Sequence, residues 1–304
     1  MTAEHPTVTD ITVNLDGLWF LQALLGIPRL ASELRARPYG QARSTDWLTQ
    51  YPGLSVLVSQ GICDDAGVVR TDIAERMAVL AAPDVEVVLL VSAGQLNWSS
   101  PVVLEDPATW RAIPEDQLRI VLARRGGRWA SAVRTGEHIT IDDCEPADQE
   151  RLERLMCDAL DMVHRVEPAR ISAVNIPLDS MLGAIADHAQ AGSVAAKQAA
   201  LRAAGLRGAA LTELAAALDD PQAEAVMYAR AYVDAETIFS ASVLNLRDTA
   251  SGRVALYRLS PPHGSAQEWM AIAPATPAQV RHGVGTVVGS VAVRSWDAHE
   301  RMVS

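Results

Sequence analysis

Ile11-Thr12-Val13-Asn14-Leu15-Asp16 runs straight into the apolar stretch 17–25, and Val174-Asn175-Ile176-Pro177-Leu178-Asp179 runs in the same way into 181–189. In each copy a short segment reads as a half-buried strand and the apolar stretch behind it as a helix. Asp16 is the expected N-cap of the first helix, which Gly26 and Pro28 should end. The order of elements behind each copy recurs as well. After the first come helical stretches at 45–60 and 71–81, a β-branched run at 85–91, and a meander of strands at 118–123, 129–133 and 139–141 turned by glycines. An amphipathic helix over 147–166 closes that half. After the second come helices at 194–204 and 209–218 and a strand at 225–232. A hairpin of 243–246 and 254–259 turns at Gly252-Arg253, followed by a strand at 268–273 and a closing helix over 276–291.

Two antiparallel meanders joined edge to edge make one sheet without parallel crossovers. The expected fold is therefore α+β: pseudo-twofold duplicated halves, with a central twisted antiparallel sheet flanked by two helical bundles. The expected divisions are a disordered lead at 1–10, an N-terminal half at 11–168 and a C-terminal half at 169–304, forming one unit. The first half carries the longer connections, after Gly26 and across 94–116.

The 304 residues are 49% hydrophobic and 21% charged, a globular profile with enough chain for a sizeable core. A net charge of −11 argues against a nucleic-acid partner, which needs clustered positive charge. Lys197 is the sole lysine among 26 basic residues. The polar start, MTAEHPTVTD, lacks the pattern of a signal peptide, and no apolar run approaches the length of a membrane span. The expectation is a soluble, cytoplasmic protein without membrane insertion.

Motifs for chemistry fail one by one. Gly283-Val284-Gly285-Thr286-Val287-Val288-Gly289 spells GxGxxxG, but no strand–helix–strand unit comes after it, so the glycines read as close helix packing. Arg125-Gly126-Gly127-Arg128 lies between two strands and reads as a hairpin turn rather than a phosphate cradle. Cys63, Cys144 and Cys157 are widely spaced, and the seven histidines form no ligand cluster. Asp142-Asp143 and Asp219-Asp220 read as caps on exposed amides. No catalytic, cofactor-binding or metal-binding residue is assigned, and no cofactor is expected. The unusual feature is apolar side chains where loops are expected: Trp98, Val102, Val103, Leu104, Trp110 and Ile113, then Ile238 and Phe239.

Residues 10–25, Asp10 through Leu25, resemble the opening of the EspG family, the secretion-associated chaperones of mycobacterial type VII (ESX) systems. The segments Leu34-Arg35-Ala36-Arg37-Pro38-Tyr39, Val79-Leu80-Ala81-Ala82-Pro83-Asp84, Arg119-Ile120-Val121-Leu122-Ala123 and Gly252-Arg253-Val254-Ala255-Leu256-Tyr257 are similar to the branch serving the fifth ESX system. So is Ala271-Ile272-Ala273-Pro274, and the likeness runs from about residue 8 to Trp296. The family's Pro-x-Gly before the near-terminal tryptophan is here Ala292-Val293-Arg294, and 94–114 matches poorly. The resemblance implies a cofactor-free chaperone that binds the apolar tip of the PPE subunit in PE–PPE heterodimers through its central sheet and C-terminal helices. Leu206, Leu211, Leu214, Leu218, Tyr228, Arg230, Tyr232 and Phe239 are the expected contacts, with Trp98, Leu104 and Trp110 as a client-selectivity loop. Two other readings stay open: an enzyme or nucleotide binder with a cryptic pocket marked by convergent polar groups, and a self-associating protein that forms a weak homodimer through a sheet edge.

Overall fold

The computed structural model describes residues 10–40, 46–96, 106, 109, 113, 117–234, 236–259 and 266–301. The first half places β1 (Ile11–Asn14) before α1 (Leu15–Leu25), α2 (Gly53–Ser59) and α3 (Thr71–Ala81). Strands β2 (Val85–Ala93), β3 (Gln117–Arg125), β4 (Arg128–Thr135) and β5 (His138–Asp143) come next, then α4 (Gln149–Val163). The second half repeats the order with β6 (Val174–Pro177), α5 (Leu178–Gln190), α6 (Val194–Ala203) and α7 (Gly208–Asp219). It continues with β7 (Ala223–Val233), β8 (Glu236–Phe239), β9 (Leu244–Thr249), β10 (Gly252–Leu259), β11 (Trp269–Pro274) and α8 (Pro277–Gly289).

These strands form one eleven-stranded sheet in the order β1-β5-β4-β3-β2-β7-β9-β10-β11-β6, with β8 paired to β7 off that path. From either edge inward the sequence of roles is the same: the short first strand, the meander in reverse, then the long strand. The pseudo-twofold thus passes between β2 and β7. Every ladder between these strands is antiparallel, as expected from two meanders meeting at an edge.

The face alternation explains why the run at 85–91 shows no polar period. Val85, Val87, Leu89 and Val91 enter a core with α4 and α8, whereas Val88 and Leu90 enter a second core with α1, α2 and α3. Both faces of β2 are covered, so apart from Glu86 and Ser92 both residue sets are apolar. A third core packs α5, α6 and α7 on Val254, Leu256 and Ile272. One face of the sheet therefore carries α4 beside α8, and the other carries a separate three-helix group over each half.

Some local expectations change. Asn14, not Asp16, caps α1: its side chain accepts the Gly17 N–H at 2.7 Å, and Asp16 lies in the first turn. The 45–60 stretch is a 3₁₀ turn at Leu48–Gln50 and then α2. Ile238 and Phe239, expected in a plain connection, belong to β8 and pair with β7. In α8, a Cβ on Gly283 would stand 2.8 Å from Leu244, and one on Gly285 3.1 Å from Gln149 of α4. Those glycines let the helix close on β9 and α4.

The sequence suggests matching the Gly252-Arg253 hairpin to the one turning at Gly127-Arg128, but the two correspond one residue away from that. Gly252 is the first strand residue after its turn, the place that Arg128 holds in the other half. It has φ +151°, and a Cβ there would come 2.5 Å from the Ala169 backbone. Gly252→Ala is thus expected to cost about 2 kcal/mol or more in urea unfolding, combining a strained φ with a backbone clash. Gly26→Ala, with positive φ but open space around it, should cost about 1 kcal/mol.

Candidate functional site

Between the two helix groups, β2 and β7 carry a polar seam at the centre of the sheet. The register sets Glu86 opposite Arg230 and Val88 opposite Tyr228. The 3₁₀ turn Ser32–Leu34 brings Glu33 over them. Arg230 gives Nε to Glu86 at 2.5 Å, and Nη1 and Nη2 to Glu33 at 2.9 and 3.0 Å. The Tyr228 hydroxyl donates to Glu33 at 2.6 Å, and the Tyr232 hydroxyl to Glu86 at 2.5 Å. One guanidinium thereby binds two carboxylates, one from each side.

Burial disfavours charge on both glutamates, yet the outcomes differ. At Glu33, Arg230 and the Tyr228 hydroxyl outweigh burial and hold the carboxyl below its usual range. Glu86 lies wholly inside, and burial outweighs Arg230 and Tyr232, pushing its carboxyl up. Both tyrosine hydroxyls are raised by burial and by the carboxylates they serve. A cleft of about 380 Å³ opens beside this cluster, lined among others by Arg29, Ser32, Glu86, Tyr232, Thr237 and Arg301. This is the convergent polar cluster that would mark a cryptic pocket. Its members hydrogen-bond one another, however, so the arrangement first of all locks Glu33's turn onto β2 and β7.

The expected contact residues divide sharply. Leu206, Leu211 and Leu214 are 2%, 7% and 0% exposed and form the interior of the α5–α6–α7 group. They hold the bundle together and present no surface, because the apolar face of each helix turns to its neighbours. Leu218 is half-buried on that core. Arg230 is buried in ion pairs, so a charge reversal there would break the seam. Phe239 is the exception: 55% exposed, with its ring 6.3 Å from Tyr228 and the Arg230 guanidinium 5.9 Å away. Tyr228, Arg230, Tyr232 and Phe239 are thus brought together, apart from the three buried leucines. Trp98, Leu104 and Trp110 lie outside the described residues.

Sequence reasoning missed Glu33 and Glu86. The available signal was a lone glutamate, the second residue of an otherwise apolar strand, which recurs as Glu224 in β7. The acidic pairs also do other work than capping. Asp143 pairs with Arg76 at 3.0 Å, and Asp219, at the end of α7, binds His188 and Lys197. Burial pushes the Cys144 and Cys157 thiols up to about 11, away from reactive thiolate. Among the described residues no cluster of three metal-ligating side chains occurs, and no helix is long and apolar enough to cross a membrane. Arg230→Met would strand the buried Glu86 and the partly buried Glu33 and should lower stability by about 3–5 kcal/mol in urea unfolding. Phe239→Ala, at an exposed site, should change it by less than about 1 kcal/mol.

A model of the EspG family matches residues 14–286. The ESX-5 secretion-associated protein EspG5 of Mycobacterium marinum is 44% identical over 299 residues, spanning 98% of this chain and 99% of its own length. Its Mycobacterium tuberculosis counterpart is 45% identical over 303 residues, with the same shares. The solved structure of the Mycobacterium tuberculosis type VII secretion system chaperone EspG5, in complex with a PE25–PPE41 dimer, matches with TM-score 0.84 and 42% identity. That match covers 96% of this chain and all of the other. With the family model over most of its length, these relatives end to end and the same fold, the chain belongs to the EspG family.

Proposed function

We propose that this protein is a chaperone of a type VII secretion system that binds a PE–PPE heterodimer through its PPE subunit. The observation that carries the reading is the relative solved with a PE25–PPE41 dimer, alike in fold and 42% identical over 96% of this chain. In this reading the protein works in the cytoplasm, performs no catalysis and uses no cofactor. The halves 11–168 and 169–304 act as one unit with unequal duties.

The physical task is to cover an apolar helical tip that would otherwise aggregate. Covering it gains about 25 cal/mol per Å² of apolar surface, and an interface of about 800 Å² per partner suffices. The interior leucines cannot supply that surface, so the grip moves outward. Leu182 of α5 and Val194 of α6 stand 51% and 69% exposed, and exposed alanines of α6 flank Val194. With Phe239 on β8 they form the apolar part of the proposed contact, and Tyr228 and Tyr232 contribute polar edges.

Leu182→Asp combined with Val194→Asp should reduce co-purification of a PE–PPE pair at least tenfold, roughly 1.4 kcal/mol, while leaving the unfolding midpoint unchanged. Val68→Asp, at an exposed site after α2, serves as control and should leave capture intact. Undiminished capture by the double variant would exclude the bundle as the grip.

A further inference from the structure

We propose that the cleft beside the β2–β7 seam binds a carboxylate that carries an amide, the chemistry of an N-acylated amino acid or of a polypeptide's C-terminal end. The inference does not depend on the client reading above. The cleft holds about 380 Å³, within the range of about 300–1,000 Å³ common for ligand sites. Its walls come from distant parts of the chain: the segment after α1, the end of α3, β2, β7, β8 and Arg301 near the chain's end. Leu30, Ala36, Leu80 and Ala81 give it an apolar side.

The charge of the lining is uneven. Arg29, Arg230 and Arg301 stand against a single acidic residue, Glu86, in a protein of net charge −11. Arg230 is engaged by Glu33 and Glu86, but among the described residues neither Arg29 nor Arg301 pairs with a carboxylate. Arg301 Nε donates to the Asp234 carbonyl at 3.1 Å, and the guanidinium lies 5.6 Å over the Tyr232 ring. Its backbone is fixed as well: the Arg301 N–H meets Asp84 at 2.9 Å, and Arg124 holds the carbonyls of Trp296, Asp297 and His299. A planar guanidinium held in place suits a carboxylate, which it can meet with two parallel hydrogen bonds.

Glu86 supplies the second point of recognition. It is 1% exposed, and Arg230 Nε and the Tyr232 hydroxyl both reach its Oε2, each at 2.5 Å. Among the described residues no donor reaches Oε1, although Glu86 lines the cleft. An apolar group set against Oε1 would leave a buried oxygen unsatisfied. An amide suits it in either state, giving its N–H to the carboxylate or accepting the proton of the carboxylic acid. An ammonium group would instead face three guanidiniums, so a free amino acid is the poorer ligand.

The test titrates the free protein with N-acetyl-leucine and follows 1H–15N spectra. Saturable shifts should centre on Ser32, Ala81 and Thr237, which line the cleft. N-acetyl-leucinamide lacks the carboxylate and isocaproate lacks the amide, and each should bind at least about fivefold more weakly. N-acetyl-leucine should lose affinity to the same degree on Arg301→Gln, which keeps the backbone N–H to Asp84. If that variant fails to fold, Arg29→Gln, at an exposed position, carries the same comparison. No saturable shift, shifts centred elsewhere, or equal binding of N-acetyl-leucine and either comparison compound overturns the site. Acetylated Ala-Ala-Leu with a free carboxylate separates the sources: tighter binding than N-acetyl-leucine assigns a chain end, and weaker binding assigns a small acid. Capture of a PE–PPE heterodimer tests the chaperone reading separately, and its failure leaves these outcomes standing.

Discussion

All nine residues of β2 pair with β7, and the rest of the molecule depends on that central ladder. Each half alone would leave a long apolar strand as an open edge, a template for uncontrolled pairing. Joined, the two strands become interior, and the exposed edges shift to β1 and β6, each four residues long. Arg230 strengthens the junction from above the sheet. It stands on β7 and binds Glu86 across the ladder and Glu33 on the helix side. Removing it would leave the buried Glu86 and the partly buried Glu33 without their cation, so the seam fixes both the join and the turn that covers it.

The pseudo-symmetry is one of backbone and not of side-chain partners. Glu86 and Glu224 are each the second residue of their strand and each 1% exposed. Glu86 meets Arg230 and Tyr232, whereas Glu224 faces Ser92 across the ladder. Glu224 instead accepts from the Leu96 backbone, Asn245 and Arg247. The closing segment adds to the asymmetry. Arg124 of β3 donates to the carbonyls of Trp296, Asp297 and His299, and the Arg301 N–H meets Asp84, so the chain's last described residues strap onto the first half. Two halves with the same strand order thereby carry different side-chain partners and different surfaces.

The fold was largely legible because its signals are local. Thr71–Ala81 is the helix that periodicity and Pro83 outline, and the glycine turns mark the meanders. The site was less legible, for a physical reason. Burial of Leu206, Leu211 and Leu214 depends on how three helices turn towards one another, and an apolar residue on an amphipathic helix looks the same whether its face meets a core or a client. Glu33 escaped notice because its partner Arg230 lies in the other half, and no local pattern joins them.

By itself the sequence determined the strand–helix–meander order, its duplication, the antiparallel character of the sheet and the resemblance to the EspG family, since each is written in short-range patterning or in residue identity. Only the tertiary structure decided that the halves meet at β2 and β7 and that Arg230 is held in ion pairs with Glu33 and Glu86. Those outcomes rest on through-space distances between residues far apart in the chain, and on which apolar face is left without a neighbour. Such quantities exist only once the chain has folded.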